Sequence, residues 1–151
     1  MRFKLLILDV SGTLLDGHDW GELYPGAYRF VEVAHRMGYE LALASNLGRG
    51  GLKKFMTAHG LDRFIQTAVS ADDATFKPSP EMIELVLSLT GHPAGDALMI
   101  GDSSTDIQAA HAAGVAACHV TWAGDDPRVA TLNPLYTAKS FDDLAKLVGM
   151  N

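Results

Sequence analysis

Leu5-Leu6-Ile7-Leu8-Asp9-Val10-Ser11-Gly12-Thr13 decides the fold. Residues 3–10 form an apolar run with no polar–apolar alternation until Asp9, as in a strand buried on both faces. The run ends on a carboxylate. Gly12 then lets the backbone turn tightly, so that nearby amides can face an anion. Taken alone, an aspartate that caps a turn is the plainer reading of this fragment.

Working outward, strand-length runs alternate with helical patterns. Ala27, Phe30, Val31, Ala34 and Met37 recur at helical spacing, and Gly38 stops that helix. Residues 39–45 read as a second strand, 52–59 as a short helix closed by Gly60, and 67–70 as a weak third strand. Residues 80–90 carry Met82, Ile83, Val86 and Leu89 as a helical stripe, with Gly91 after it. Residues 97–100 are a fourth strand, 104–113 a helix ending at Gly114, and 115–120 a fifth strand. A short edge strand over 135–137 and a closing helix over 142–148 complete the pattern. This order predicts a Rossmann-like three-layer α/β/α fold, a central parallel sheet covered by helices on both faces, as a single domain over residues 1–151. Ligands of such sheets bind beyond the carboxyl ends of the strands. Four places therefore matter: after Leu8, after Ala44, after Ser70 and after Ile100.

Chemistry-bearing residues stand at those places. Ser45-Asn46 ends the second strand, where a hydroxyl and an amide could hold a phosphate oxygen or simply form a turn. Lys77-Pro78-Ser79-Pro80 precedes a helix, and Pro78 biases Lys77 to an extended conformation. An ammonium aimed inward there would neutralise a phosphate and a nucleophile; a solvated lysine is the alternative. Asp102 stands at the tip of the fourth strand and Asp106 in the first turn of the next helix. Both could face one ion, and hard oxygen ligands suit Mg²⁺. Helix capping accounts for part of Asp106.

The chain has 151 residues, 48% hydrophobic and 20% charged, with a formal net charge of −6. That acidity argues against a nucleic-acid or anionic-membrane surface, both of which need a basic face. The single cysteine, Cys118, lies in an apolar run and reads as a buried thiol. Asp9 cuts the first apolar run too early for a signal peptide, and no stretch approaches the roughly 20 apolar residues of a membrane span. A cytoplasmic setting is expected. His35, His59, His92, His111 and His119 show no metal-ligand spacing.

The sequence resembles the haloacid dehalogenase-like hydrolase superfamily from Leu5 to about Leu147, through four motifs in order. They are Leu8-Asp9-Val10-Ser11-Gly12-Thr13-Leu14, Ala44-Ser45-Asn46, Phe76-Lys77-Pro78, and Ile100-Gly101-Asp102-Ser103-Ser104-Thr105-Asp106-Ile107. Tyr24-Pro25-Gly26, Lys77-Pro78-Ser79-Pro80-Glu81-Met82 and Val120-Thr121-Trp122-Ala123-Gly124 are similar to the phosphoglycolate-phosphatase branch. The resemblance implies a phosphatase that takes up the phosphoryl group on Asp9. It implies Mg²⁺ held by Asp9, the Ser11 carbonyl and Asp102, with Asp106 orienting Lys77 or binding a metal water. Ser45 and amides near Ser11 and Gly12 would hold phosphoryl oxygens, with Asn46 beside them, and Lys77 would stabilise the charge. The substrate would be a phosphorylated small molecule or a macromolecular phosphate.

Two departures matter. Family phosphatases usually carry a second Asp where this chain has Ser11; that Asp protonates the leaving group and then activates water. A serine cannot shuttle protons comparably near neutral pH, so good leaving groups and a slow second step are expected. The second departure is size: only the stretch from Asp16 to Tyr24 stands where many relatives insert a cap. A core without a cap leaves an open site, which a second subunit could cover. His18, Asp19 and Trp20 lie in the short stretch and either touch substrate or form an exposed turn. Arg49 either reaches a second anionic group or is solvated. Two other functions compete: a catalytically impaired member that binds a phosphate group or a protein partner, favoured by Ser11, and a dehalogenase, disfavoured because residue 11 is not Tyr.

Overall fold

The computed structural model describes residues 2–17 and 21–150, so the readings of His18, Asp19 and Trp20 lie outside the described residues. In chain order, β1 (Leu5–Leu8) leads into a short antiparallel ribbon of β2 (Leu15–Asp16) and β3 (Glu22–Leu23). Then follow α1 (Ala27–Arg36), β4 (Glu40–Ala44), α2 (Arg49–Ala58), β5 (Thr67–Val69), α3 (Glu81–Thr90), β6 (Ala97–Gly101), α4 (Ser104–Ala112), β7 (Ala116–Val120), β8 (Tyr136–Ala138) and α5 (Phe141–Leu147).

Six strands form a parallel sheet in the order β5-β4-β1-β6-β7-β8. In register, Leu8 of β1 stands between Leu43 of β4 and Ile100 of β6. Every residue of β1 is fully buried. Alternation decides which side each serves. Leu6, Leu8, Leu41, Leu43, Leu98 and Ile100 pack with Phe30 and Val31 of α1, Phe55 of α2 and Leu144 of α5. Leu5, Ile7, Ala42, Ala44, Ala97 and Met99 pack with Met82, Ile83 and Val86 of α3 and Ile107 of α4 on the other side. The result is the expected three-layer arrangement. Cys118 is buried among these residues, and burial pushes its thiol up to about 12.

From β1 the chain winds outward through β4 and β5, then returns to β6 and winds the other way. The reversal places a crevice at the carboxyl ends of β1 and β6, where doubly wound sheets bind ligands. No described helix is long and apolar enough to cross a membrane.

Candidate active site

Asp9 follows β1 directly, and its N–H donates to the Ile100 carbonyl (3.0 Å), so its position is tied to β6. Asp102 follows the last residue of β6. Asp106 lies in the first turn of α4, where its carboxylate accepts from the Ser103 N–H (3.2 Å) while Ser103 caps the same turn. Each of the three aspartates offers an oxygen within 4.8 Å of the others. Two glycines make this crowding feasible. A Cβ at Gly101 would run into the Asp106 carboxylate, and one at Gly12, whose φ is +83°, would run into that of Asp102.

Lys77 joins the acids. Its Nζ donates to Asp9 Oδ1 (2.9 Å) and Asp106 Oδ1 (2.6 Å), and the residue is 3% exposed. Asn46 holds it there: its Oδ1 accepts from the Lys77 N–H (2.9 Å) and its Nδ2 donates to the Lys77 carbonyl (3.3 Å). The side-chain amide thus matches the backbone donor and acceptor of one residue, and Nδ2 keeps a second N–H.

The electrostatics follow from burial. Desolvation and the Asp106 carboxylate hold Asp9 above the usual carboxylate range, although Lys77 pulls it down. Desolvation and Asp106 likewise raise Asp102. Burial alone would depress the Lys77 ammonium, but Asp9 and Asp106 outweigh it and hold the group above its ordinary value. Three carboxylates against one ammonium leave uncompensated negative charge beside hard oxygen donors. That donor set fits a small divalent cation such as Mg²⁺, which prefers oxygen ligands and retains several waters.

Ser45 is buried at the end of β4. Its Oγ accepts from the Leu47 N–H (3.1 Å), which leaves the hydroxyl proton for another acceptor. Ser11 is exposed at the head of the loop after Asp9. Gly12 is placed differently from expectation: its N–H donates to the Leu15 carbonyl (2.9 Å), so it contributes space rather than an anion-facing amide. Arg49 is paired with Asp73 (2.6 Å) at the surface. Three roles were not apparent in the sequence: Asn46 as a clamp, His119 with its Nε2 at 3.2 Å from the Asp102 carbonyl, and Trp122 with its Nε1–H on the Thr13 carbonyl (2.9 Å). No spacing rule finds such side-chain-to-backbone contacts; the only signal was the family-like segment around Trp122. A groove of about 470 Å³ between α1 and α5, lined by Phe30, Val33, Phe141 and Met150 among others, includes none of these residues. Convergent chemistry, not that groove, marks the site.

A lysine-bridged aspartate cluster at the switch point of a doubly wound sheet defines a class of Rossmann-like α/β hydrolases. Residues 6–120 match the haloacid dehalogenase-like hydrolase family, and the chain belongs to that family. It is 34% identical over 132 residues to the pyrophosphatase PpaX of Halalkalibacterium halodurans, covering 85% of this chain and 61% of that protein. It is 34% identical over 133 residues to the phosphoglycolate phosphatase of Pseudomonas savastanoi pv. phaseolicola, covering 87% of this chain and 48% of that protein. The chain therefore spans about half to three-fifths of the length of these relatives. The magnesium-bound HAD-hydrolase YfnB of Bacillus subtilis shares the fold, with a TM-score of 0.87 at 18% identity over 99% of this chain and 100% of that one.

Proposed function

We propose that this chain is a Mg²⁺-dependent phosphohydrolase that forms an aspartyl-phosphate on Asp9 and favours good leaving groups. The observation that carries the reading is Lys77 Nζ held between Asp9 and Asp106, with Asp102 within reach, at the carboxyl ends of β1 and β6. The PpaX and phosphoglycolate-phosphatase relatives support phosphoryl chemistry.

In this reading a carboxylate oxygen of Asp9 attacks phosphorus, and the bond to the leaving-group oxygen breaks. Lys77 balances charge on Asp9 and the transferring group, and Ser45 donates to a phosphoryl oxygen. Asp9, the Ser11 carbonyl and Asp102 would hold Mg²⁺, with Asp106 keeping Lys77 in place. The cation would supply charge neutralisation, which together with positioning provides most of the catalysis in phosphoryl transfer. Water then cleaves the aspartyl-phosphate. Ser11 offers no proton shuttle, so turnover is easiest for acyl phosphates, aryl phosphates or pyrophosphate, whose leaving groups need little protonation.

The described chain carries only the β2–β3 ribbon between β1 and α1, and only α2, a short 3₁₀ turn and β5 between β4 and α3. It reads as one core domain without a cap, with an open site for a phosphorylated small molecule or a phosphate on a macromolecule. The test is release of p-nitrophenol from p-nitrophenyl phosphate, with Mg²⁺ and with EDTA, in the wild type and Asp9→Asn. Hydrolysis that needs both Mg²⁺ and Asp9 is expected. Release of p-nitrophenol indifferent to EDTA or to Asp9→Asn would overturn the reading. Ser11 favours one second reading, a member that binds phosphate without turnover. That reading predicts Mg²⁺-dependent binding of inorganic phosphate with no hydrolysis above the Asp9→Asn background.

A further inference from the structure

The end of β7 reaches both acid loops. His119, in register with Gly101 of β6 and 3% exposed, places Nε2 at 3.2 Å from the carbonyl of Asp102. A carbonyl only accepts, so the ring presents Nε2–H to it. Three residues later, Trp122 donates Nε1–H to the carbonyl of Thr13 (2.9 Å). The indole is itself fixed: it packs on Phe141 at 4.3 Å between ring centroids, and Tyr24 lies at 6.5 Å. The loop it holds is tightly wound, with the N–H groups of Thr13, Leu14 and Leu15 all directed at the Val10 carbonyl. The two loops meet where Gly12 leaves just enough room for the Asp102 carboxylate.

We propose that His119 and Trp122 are positioning residues that set the spacing between the Asp9 and Asp102 loops, and thereby the affinity of the acid cluster for a divalent cation. The inference rests on the metal-dependent reading above, but on different residues. Neither ring needs to touch the cation or the substrate. His119 holds the carbonyl of Asp102 itself, and Trp122 holds that of Thr13, two residues past Ser11 in the loop that follows Asp9. Partners that orient metal ligands in this way are typically worth about 10–100-fold in metal affinity. Two rigid aromatic donors on adjoining segments brace the acids from one side, as Asn46 braces Lys77 from the other.

The test compares the wild type with Trp122→Phe, His119→Leu and His119→Gln. Mg²⁺ binding is measured by calorimetry, and amide hydrogen exchange is followed across residues 10–15. Trp122→Phe keeps an aromatic ring against Phe141 and loses the donor together with part of the indole. It should weaken Mg²⁺ about tenfold or more and speed exchange at the Gly12, Thr13, Leu14 and Leu15 amides, with exchange in β4 unchanged. His119→Leu should weaken Mg²⁺ similarly, and His119→Gln should restore most of the affinity, because its amide N–H reaches the same carbonyl. Unchanged Mg²⁺ affinity and loop exchange in Trp122→Phe would overturn the inference. So would a Gln variant no better than Leu, or a wild type that binds no Mg²⁺. A uniform rise in exchange across the sheet would mean a merely structural role and would also overturn it. Failure of the phosphohydrolase reading looks different: Mg²⁺ binds and responds to these variants, yet p-nitrophenyl phosphate is not turned over.

Discussion

Lys77 has almost no contact with water, so removing its ammonium would strand the Asp9 and Asp106 carboxylates in a desolvated site. Breaking a buried pair in this way costs about 3–5 kcal/mol. Lys77→Met should therefore lower Tm in thermal denaturation. The loss should be larger at about pH 8 than at about pH 5.5, because at acid pH the stranded Asp9 carboxylate can take up a proton instead. An equal loss at both pH values would show that packing, not charge, is what the lysine supplies. Ser11 poses the complementary question of what is missing. Ser11→Asp introduces a group able to protonate a leaving group, an effect typically worth about 10²–10⁴-fold. Its kcat should rise most on alkyl phosphates, whose alkoxides leave poorly, and least on p-nitrophenyl phosphate. An unchanged or lower kcat on both would mean that Ser11 is not the limiting residue. At this scale the sequence indicated residue identity but not occupation: the Asn46 amide holds the Lys77 backbone, and the Gly12 N–H is taken by the Leu15 carbonyl.

Among the elements, α2 is the most instructive. The apolar pattern places it over residues 52–59, but it runs from Arg49 to Ala58. Gly50 and Gly51 disfavour a helix start, and no residue just before Arg49 caps it from its own side chain. The cap comes from Asp72, whose carboxylate accepts the Arg49 N–H (2.7 Å) from the loop after β5. Asp72→Ala should cost about 0.5–2 kcal/mol in denaturant unfolding, the usual range for a lost cap. Faster hydrogen exchange in the first turn of α2 should accompany it; no change in either would show that the turn is held by packing alone. The β2–β3 ribbon escaped the sequence for a different reason. Two-residue strands are too short to show a period, and their pairing is a contact between segments. The longer strands and helices were legible because burial on the sheet imposes their spacing, and their ends moved by only a few residues. The edge strand expected over 135–137 pairs with β7 through Tyr136–Ala138.

At the scale of the whole molecule, protonation of the acid cluster is linked to stability. Asp9 and Asp102 are held above the usual carboxylate range. The fold therefore binds these protons more tightly than the unfolded chain. Without a cation, their contribution to stability falls as pH rises from about 4, the ordinary carboxylate value, through the raised folded values. On the proposed metal-dependent reading, Mg²⁺ would compete with the same protons. It should bind more tightly at about pH 8 than at about pH 6 and raise Tm more there, with about 2.7 kcal/mol of stabilisation when present at 100 times its Kd. Calorimetry in two buffers of different ionisation enthalpy would detect the released protons; pH-independent binding without proton release would place the cation away from these acids. The sequence by itself determined the layered α/β architecture and the strand ends at which chemistry gathers. Both follow from local periodicity, and a period of two or of 3.6 residues is written into consecutive side chains. Only the tertiary structure decided that Lys77 lies between Asp9 and Asp106, that Asn46 clamps its backbone, and that His119 and Trp122 reach the carbonyls of Asp102 and Thr13. Those contacts join residues far apart in the chain through single polar groups. Such groups have no periodicity to read, and their directions are fixed only when the strands that carry them are packed side by side.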